Sequence, residues 1–262
     1  MKLDQYQVSA FTQRLFGGNP AAVVPLEDWL PEETMLAVAA ENNLSETAFY
    51  VPDGDGFGLR WFTPEVEVEL CGHATLATAH VLFNELGHGE PTIRFATKFS
   101  GDLFVSRDDR GICIDLPAHA IHDTDIHPAI GEALNGIPSA AYAAPSWVYE
   151  FESEDQVLAL APDFRALLVA SDLPVIVTAP GKDVDFVSRF FGPQVGIDED
   201  PVTGSAHCAL VPLWAQKLGK TALTARQVSK RGGELQCELN GNRVLLRGDA
   251  ITFLRGQIEL PG

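Results

Sequence analysis

ELCGHATLATAHVLF, residues 69–83, opens like a turn and continues like a buried helix. Its apolar residues run around most of a helical circumference, so the segment is expected to be enclosed on nearly all sides. The polar, flexible pair Gly72 and His73 stands where that helix starts. The second half of the chain repeats the arrangement in EDPVTGSAHCALVPLW, residues 199–214. Aligned on Gly72 and Gly204, His73 falls over Ser205, Ala74 over Ala206 and Ala77 over Ala209. The two glycines lie 132 residues apart in a chain of 262, and repetition at half-length spacing is the usual trace of two equivalent lobes. The expected arrangement is two helix starts that face each other across one site.

The bulk composition narrows the function classes. With 46% apolar and 21% charged residues, the chain can bury a sizeable core and does not read as disordered. A net charge of -18 opposes binding to nucleic acid or to an anionic membrane, both of which call for basic surface. No signal peptide is read at the N-terminus, and no run nears the ~18 apolar residues of a membrane span. Cys71, Cys113, Cys208 and Cys237 are scattered, without CxxC or zinc spacing. Together these features lead us to expect a cytoplasmic protein with reduced thiols.

In the first half, YQVSAF, AAVVPL, ETAFYV, LRWFT and TIRFAT read as short strands between Gly, Pro and Asn breaks. PEETMLAVAAENN reads as a helix with Pro31 at its start and acids in its first turn, and ATLATAHVLFNEL as one stopped by Gly87. FVSRDDRGICIDLP reads as a hairpin. From Pro117 to about Pro138 periodicity fades, which suits a crossover. The second half offers the strands SWVYEF and LPVIVTA, a helix from Gly204 to near Gly219, and a hairpin at Asn240-Gly241 in CELNGNRVLLRG. Pro212 is awkward inside that second helix, because it removes a backbone bond. Strands that enclose one helix per half point to α+β lobes, not a parallel βαβ sheet.

The helix starts carry the first candidate chemistry. Free N–H groups and the helix dipole make such ends suited to an anion, and glycine lets a ligand approach closely. Gly72 and Gly204 are therefore candidate carboxylate binders, although either alone reads as an ordinary turn glycine. His73 suits proton transfer near neutral pH, or is a plain capping residue. Asp200 could orient a histidine or a ligand, or belong to an acidic loop with Asp198 and Glu199. Glu46 opens an apolar strand in NNLSETAFYV, an unusual place for an acid; beside a mostly apolar site it would suit a general base, or with Ser45 and Thr47 it belongs to a plain turn. A thiolate at Cys71 could act as a base at a helix start. The matching residue in the second motif is Thr203, however, so a two-thiol mechanism fails. His119, His122 and His127 do not have convincing metal spacing, and no GxGxxG, Walker or GxSxG motif is present.

SAFTQRLFGGNPAAVV, NNLSETAF, ELCGHATLATAH and DEDPVTGSAH, in this order, resemble the phenazine-biosynthesis (PhzF-like) isomerase family over nearly the whole chain. The resemblance implies a fold like that of diaminopimelate epimerase: two pseudo-symmetric lobes, each a β-barrel-like sheet around a central helix. It places the catalytic glutamate at Glu46, the supporting polar residues at His73, Asp200 and Ser205, and backbone donors at Gly72 and Gly204. In the phenazine enzyme the glutamate moves a proton between ring carbons of a dihydro-hydroxyanthranilate without a cofactor.

The expectation is thus a cofactor-independent isomerase, with no metal, acting on a small carboxylate-bearing molecule in a cleft between the lobes. The alternatives are a Cys71-assisted amino-acid epimerase or racemase and a non-catalytic small-molecule binding protein. Residues 1–117 are expected to form the N-terminal lobe and residues 118–250 the C-terminal lobe, with the final strand, 251–262, free to return to the first. A homodimer is expected, with no nucleic acid or membrane partner.

Overall fold

The computed structural model describes residues 1–260. Pro261 and Gly262, the end of the expected final strand, lie outside the described residues. The chain forms two compact units, one of Met1–Asp115 joined by the chain from Arg247 onward, the other of Leu116–Leu246. In chain order the elements are β1 (Lys2–Ala10), β2 (Asn19–Pro25), α1 (Glu32–Asn42), β3 (Glu46–Asp53), β4 (Gly56–Phe62), β5 (Glu67–Val68), α2 (Gly72–His80), β6 (Thr92–Thr97), β7 (Asp102–Asp108) and β8 (Gly111–Pro117). There follow β9 (His122–Thr124), α3 (Pro128–Leu134), β10 (Ala140–Ala143), β11 (Trp147–Glu150), α4 (Glu154–Ala159), α5 (Phe164–Ala170), β12 (Val175–Pro180) and β13 (Phe186–Gly192). The chain closes with β14 (Ile197–Asp200), α6 (Gly204–Leu218), β15 (Ala222–Gln227), β16 (Gly233–Asn240), β17 (Arg243–Gly248) and β18 (Ala250–Glu259).

Strand pairing repeats between the units. In the first, β1 is antiparallel to β2, β2 parallel to β3, β3 antiparallel to β4, β4 parallel to β6, and β6 antiparallel to β7. In the second, β10 to β11, β11 to β12, β12 to β13, β13 to β15 and β15 to β16 follow the same alternation. Parallel neighbours need a crossover, and each unit fills its two crossovers with helices. Helix α1 spans the first and α2 the second in one unit; α4 with α5 and then α6 do so in the other. The repeat read from Gly72 and Gly204 is therefore a repeat of topology, and the architecture is α+β. Strand β18 pairs with β1, and β8 pairs with β7.

Each unit has its own apolar cluster. Val24, Leu26, Met35, Val38, Phe49 and Phe62 pack together in the first. In the second, Leu134, Tyr149, Val157, Leu167, Val175 and Phe191 belong to one cluster. Burial of each large side chain contributes roughly 1.5–3 kcal/mol. Helix α2 is buried from His73 through His80, which leaves its threonines without solvent. They turn inward on the backbone: Thr75 Oγ1 donates to Cys71 O at 2.6 Å and Thr78 Oγ1 to Ala74 O at 2.8 Å. The helix loosens into a π turn over Val81–Glu85, and Gly87 follows in the left-handed region at φ 70°.

The stretch 117–138 is more than a crossover. Strand β9 pairs with β10, and α3 buries Ile130, Ala133 and Leu134. Pro128 at the first turn and a left-handed Asn135 at the end set the bounds of that helix. Helix α6 runs through Pro212 to a left-handed Gly219. A proline at 212 cannot donate to the carbonyl four residues back, that of Cys208. The His119 N–H fills the vacancy, donating to Cys208 O at 2.9 Å.

Candidate active site

In the first unit, three chain segments deliver the candidate residues. Because β2 and β3 are parallel and pair Ala21 with Glu46, their N-terminal ends lie side by side. Asn19 begins one and Glu46 the other. The start of α2 supplies the third segment, with Cys71 as an extended N-cap residue and Gly72 and His73 behind it. Glu46 Oε2 and His73 Nε2 are 3.1 Å apart, with side chains 12% and 6% exposed. The pair is close but out of line: neither atom has an aligned hydrogen-bond partner among the described residues. On the other side of the ring, His73 Nδ1 lies 3.2 Å from Asn19 Nδ2 and 3.5 Å from Cys71 Sγ. Ser45 Oγ in turn donates to Asn19 Oδ1 at 3.3 Å.

The electrostatics follow from burial and neighbours. Burial raises the Cys71 thiol above its ordinary value, and the Glu46 carboxylate pushes it the same way. Burial penalises charge on His73, but Cys71 and Glu46 favour it, and the net displacement is well upward. One heteroatom each from Glu46, Cys71 and His73 falls within 4.8 Å of the others.

In the second unit, Asp200 ends β14, Thr203 caps α6, Gly204 is its first residue, and Ser205 is exposed beside it. Thr203 Oγ1 donates to Asp200 Oδ2. A fully buried Gln227 ties this loop together. Its Oε1 accepts from Thr203 N at 2.8 Å, and its Nε2 donates to Asp200 O at 2.7 Å and to Thr203 Oγ1 at 3.2 Å. A backbone donor and a backbone acceptor fix the amide's orientation, so Thr203 must turn its own proton to Asp200. His207 Nδ1 donates to Thr203 O at 2.8 Å. Aligned on the two glycines, His207 corresponds to Thr75, and both side chains satisfy the carbonyl of their helix's N-cap residue.

The structure thus groups Glu46, His73 and Gly72 in one unit and Asp200, Gly204 and Ser205 in the other. Sequence reading passed over two participants. Asn19 lies in GGNP, which announces a turn and nothing more. Gln227 stands 24 residues beyond Thr203, in a strand with no motif of its own.

Comparison with known proteins places the chain in a family. The family model described as phenazine biosynthesis-like protein, PhzC-PhzF, matches residues 8–256. An uncharacterized isomerase of Pseudomonas aeruginosa is 48% identical, covering 99% of this chain and all of its own. A crystal structure of a PhzF-family phenazine biosynthesis protein from Enterococcus faecalis superposes with a TM-score of 0.96 at 48% identity, over 99% of this chain and 100% of that one. A likeness of fold alone reaches a probable proline racemase from Agrobacterium radiobacter, with a TM-score of 0.64 at 12% identity, over 99% and 93% of the two chains. The chain belongs to the PhzC-PhzF, phenazine biosynthesis-like family, and it is an isomerase.

Proposed function

We propose that the chain moves a proton between carbons of a small carboxylate-bearing substrate without a cofactor, with Glu46 as the general acid and base. The observation that carries this is the Glu46–His73 pair at the start of α2: two buried heteroatoms 3.1 Å apart, neither aligned with a partner. Polar atoms held this way suit a third participant, since a buried group left unmatched costs free energy until a ligand meets it. A carboxylate removes the proton and returns it to another carbon, and His73 donates to the oxygen that gathers charge. The Gly72 end of α2 offers backbone N–H groups to the substrate carboxylate. On the family resemblance, Asp200, Ser205 and Gly204 take the complementary orienting and binding roles.

The thiol reading has one observation in its favour, the Cys71 Sγ contact to His73. It is opposed by the upward displacement of that thiol, which withholds the thiolate a base would need.

The test is incorporation of solvent deuterium into a panel of small cyclic and amino-acid carboxylates, followed by NMR. One of them should exchange with wild type. Glu46→Gln should fold normally, still bind that compound, and lose about 10²–10⁴ in exchange rate, the usual contribution of a general base. Near-full exchange by Glu46→Gln would remove Glu46 from the mechanism. Loss with Cys71→Ser but not with Glu46→Gln would establish the thiol instead.

A further inference from the structure

We propose that Asn19 is a positioning residue that sets the proton of the His73 ring on Nε2, where it faces Glu46. This rests on the reading of Glu46 and His73 as the reacting pair.

Asn19 is fully buried, and its Nδ2 lies 3.2 Å from His73 Nδ1. An amide N–H carries no acceptor, so the ring nitrogen it meets must offer a lone pair. A neutral imidazole has one N–H and one lone pair, and the proton is therefore left to Nε2. On its other side, Asn19 Oδ1 accepts from Ser45 Oγ at 3.3 Å. Ser45 is the chain neighbour of Glu46, so Asn19 links His73 to the peptide that carries the other reacting group. The titratable groups facing the ring are Glu46 and Cys71. Cys71, held as a thiol, has an S–H that acts on Nδ1 in the same sense as Asn19, though as a weaker donor. Asn19 does not ionise, so its constraint acts wherever the ring is neutral.

The backbone brings Asn19 there without slack. Gly18 sits at φ +64°, and a Cβ on it would lie 2.2 Å from the Ala10 carbonyl oxygen and 2.6 Å from Thr12 Cγ2. Only glycine fits that turn, and the turn fixes where Asn19 enters β2. The consequence for chemistry is direct. An Nε2–H that is near Glu46 Oε2 but out of line with it can swing to the oxygen of a bound carboxylate or enolate. The opposite tautomer would turn a lone pair on both.

The experiment is 15N NMR of the histidine side chains over a pH series that reaches the neutral ring. The His73 signals are identified, among seven histidines, by their loss in His73→Gln. In wild type, neutral His73 should carry its proton on Nε2, with a hydrogen-bonded Nδ1. Asn19→Asp has nearly the same shape but offers an acceptor, so the proton should move to Nδ1. Asn19→Ala should shift the Nδ1 signal downfield as it loses its donor. A simple packing role would move neither signal in the near-isosteric variant. A proton on Nδ1 in neutral wild-type His73 overturns the proposal whether or not the variants fold. Unchanged His73 signals in both variants overturn it too. Full deuterium exchange by Glu46→Gln, with the expected tautomer in wild type, would fell the proposed mechanism and leave this assignment of the ring proton standing.

Discussion

His207 offers a measurement of stability against pH that isolates one side chain. Its ring is fully buried on α6, close to Phe186, and Nε2 has no partner among the described residues. Burial pushes its pKa down to about 4 from an ordinary value of 6.5, with the Thr203 carbonyl pulling weakly the other way. The folded state thus resists a proton that the unfolded chain accepts. Stability from this group is complete above pH 6.5, falls as the pH drops from there toward 4, and is flat below. Linkage between those two values makes the loss from about pH 7.5 to about pH 5 roughly 2 kcal/mol. Other groups titrate in the same window, so the wild-type curve alone does not decide. His73 in particular works in the opposite sense, because its raised value favours the folded state until the ring loses its proton. The comparison is therefore with His207→Asn, whose amide keeps a donor for Thr203 O but cannot ionise. Urea unfolding gives the free energy of each protein at each pH. The variant should be less stable near neutrality, from the cavity it leaves, and the gap should close by about 2 kcal/mol toward pH 5. Parallel curves would refute the argument, because they would mean that His207 is protonated as readily inside the fold as outside it.

Other consequences are equally specific. Gly18→Ala places a Cβ against a backbone oxygen in a left-handed conformation, so it should cost on the order of 2 kcal/mol or more, read as a lowered melting temperature. Gln227→Leu keeps the volume but removes the acceptor of the Thr203 N–H, and urea titration should show a loss of roughly 1–3 kcal/mol. Cys71→Ser should change the exchange rate by less than about fivefold, under roughly 1 kcal/mol of barrier, and complete inactivation with an intact circular dichroism spectrum would contradict the thiol's passive role.

The parts of the fold that were legible in the sequence are those with local causes. Gly72 and Gly204 announce two helix starts, Gly219 an end, and the apolar run in ETAFYV a strand. Helices α4 and α5 also carried local signals that the reading passed over. Ser153 and Gln156 form a reciprocal cap, with Gln156 N bonded to Ser153 Oγ and Gln156 Oε1 accepting from Glu152 N, and Asp163 caps α5 through Arg165 N and Ala166 N. What no local pattern conveys is pairing at a distance. The parallel registers β2 with β3 and β13 with β15 are set by crossover helices and shared packing, not by any dipeptide. The candidate site divides along the same line. His73 and Glu46 stood out because each is polar in an apolar context. Asn19 and Gln227 act through contacts 54 and 24 residues away, and their neighbours in sequence say nothing of that.

A continuous α-helix is closed along its backbone, with every interior carbonyl answered from within. Pro212 opens one port in α6, and the His119 amide plugs it. The helix and the segment at 119 are therefore keyed to each other at a single position, as a notch is to a tooth. Alanine at 212 would supply the missing N–H and heal the helix, but it would set two donors on one carbonyl and loosen the segment that used to dock there. The residue that looks like a flaw in the helix is what gives residue 119 a fixed address.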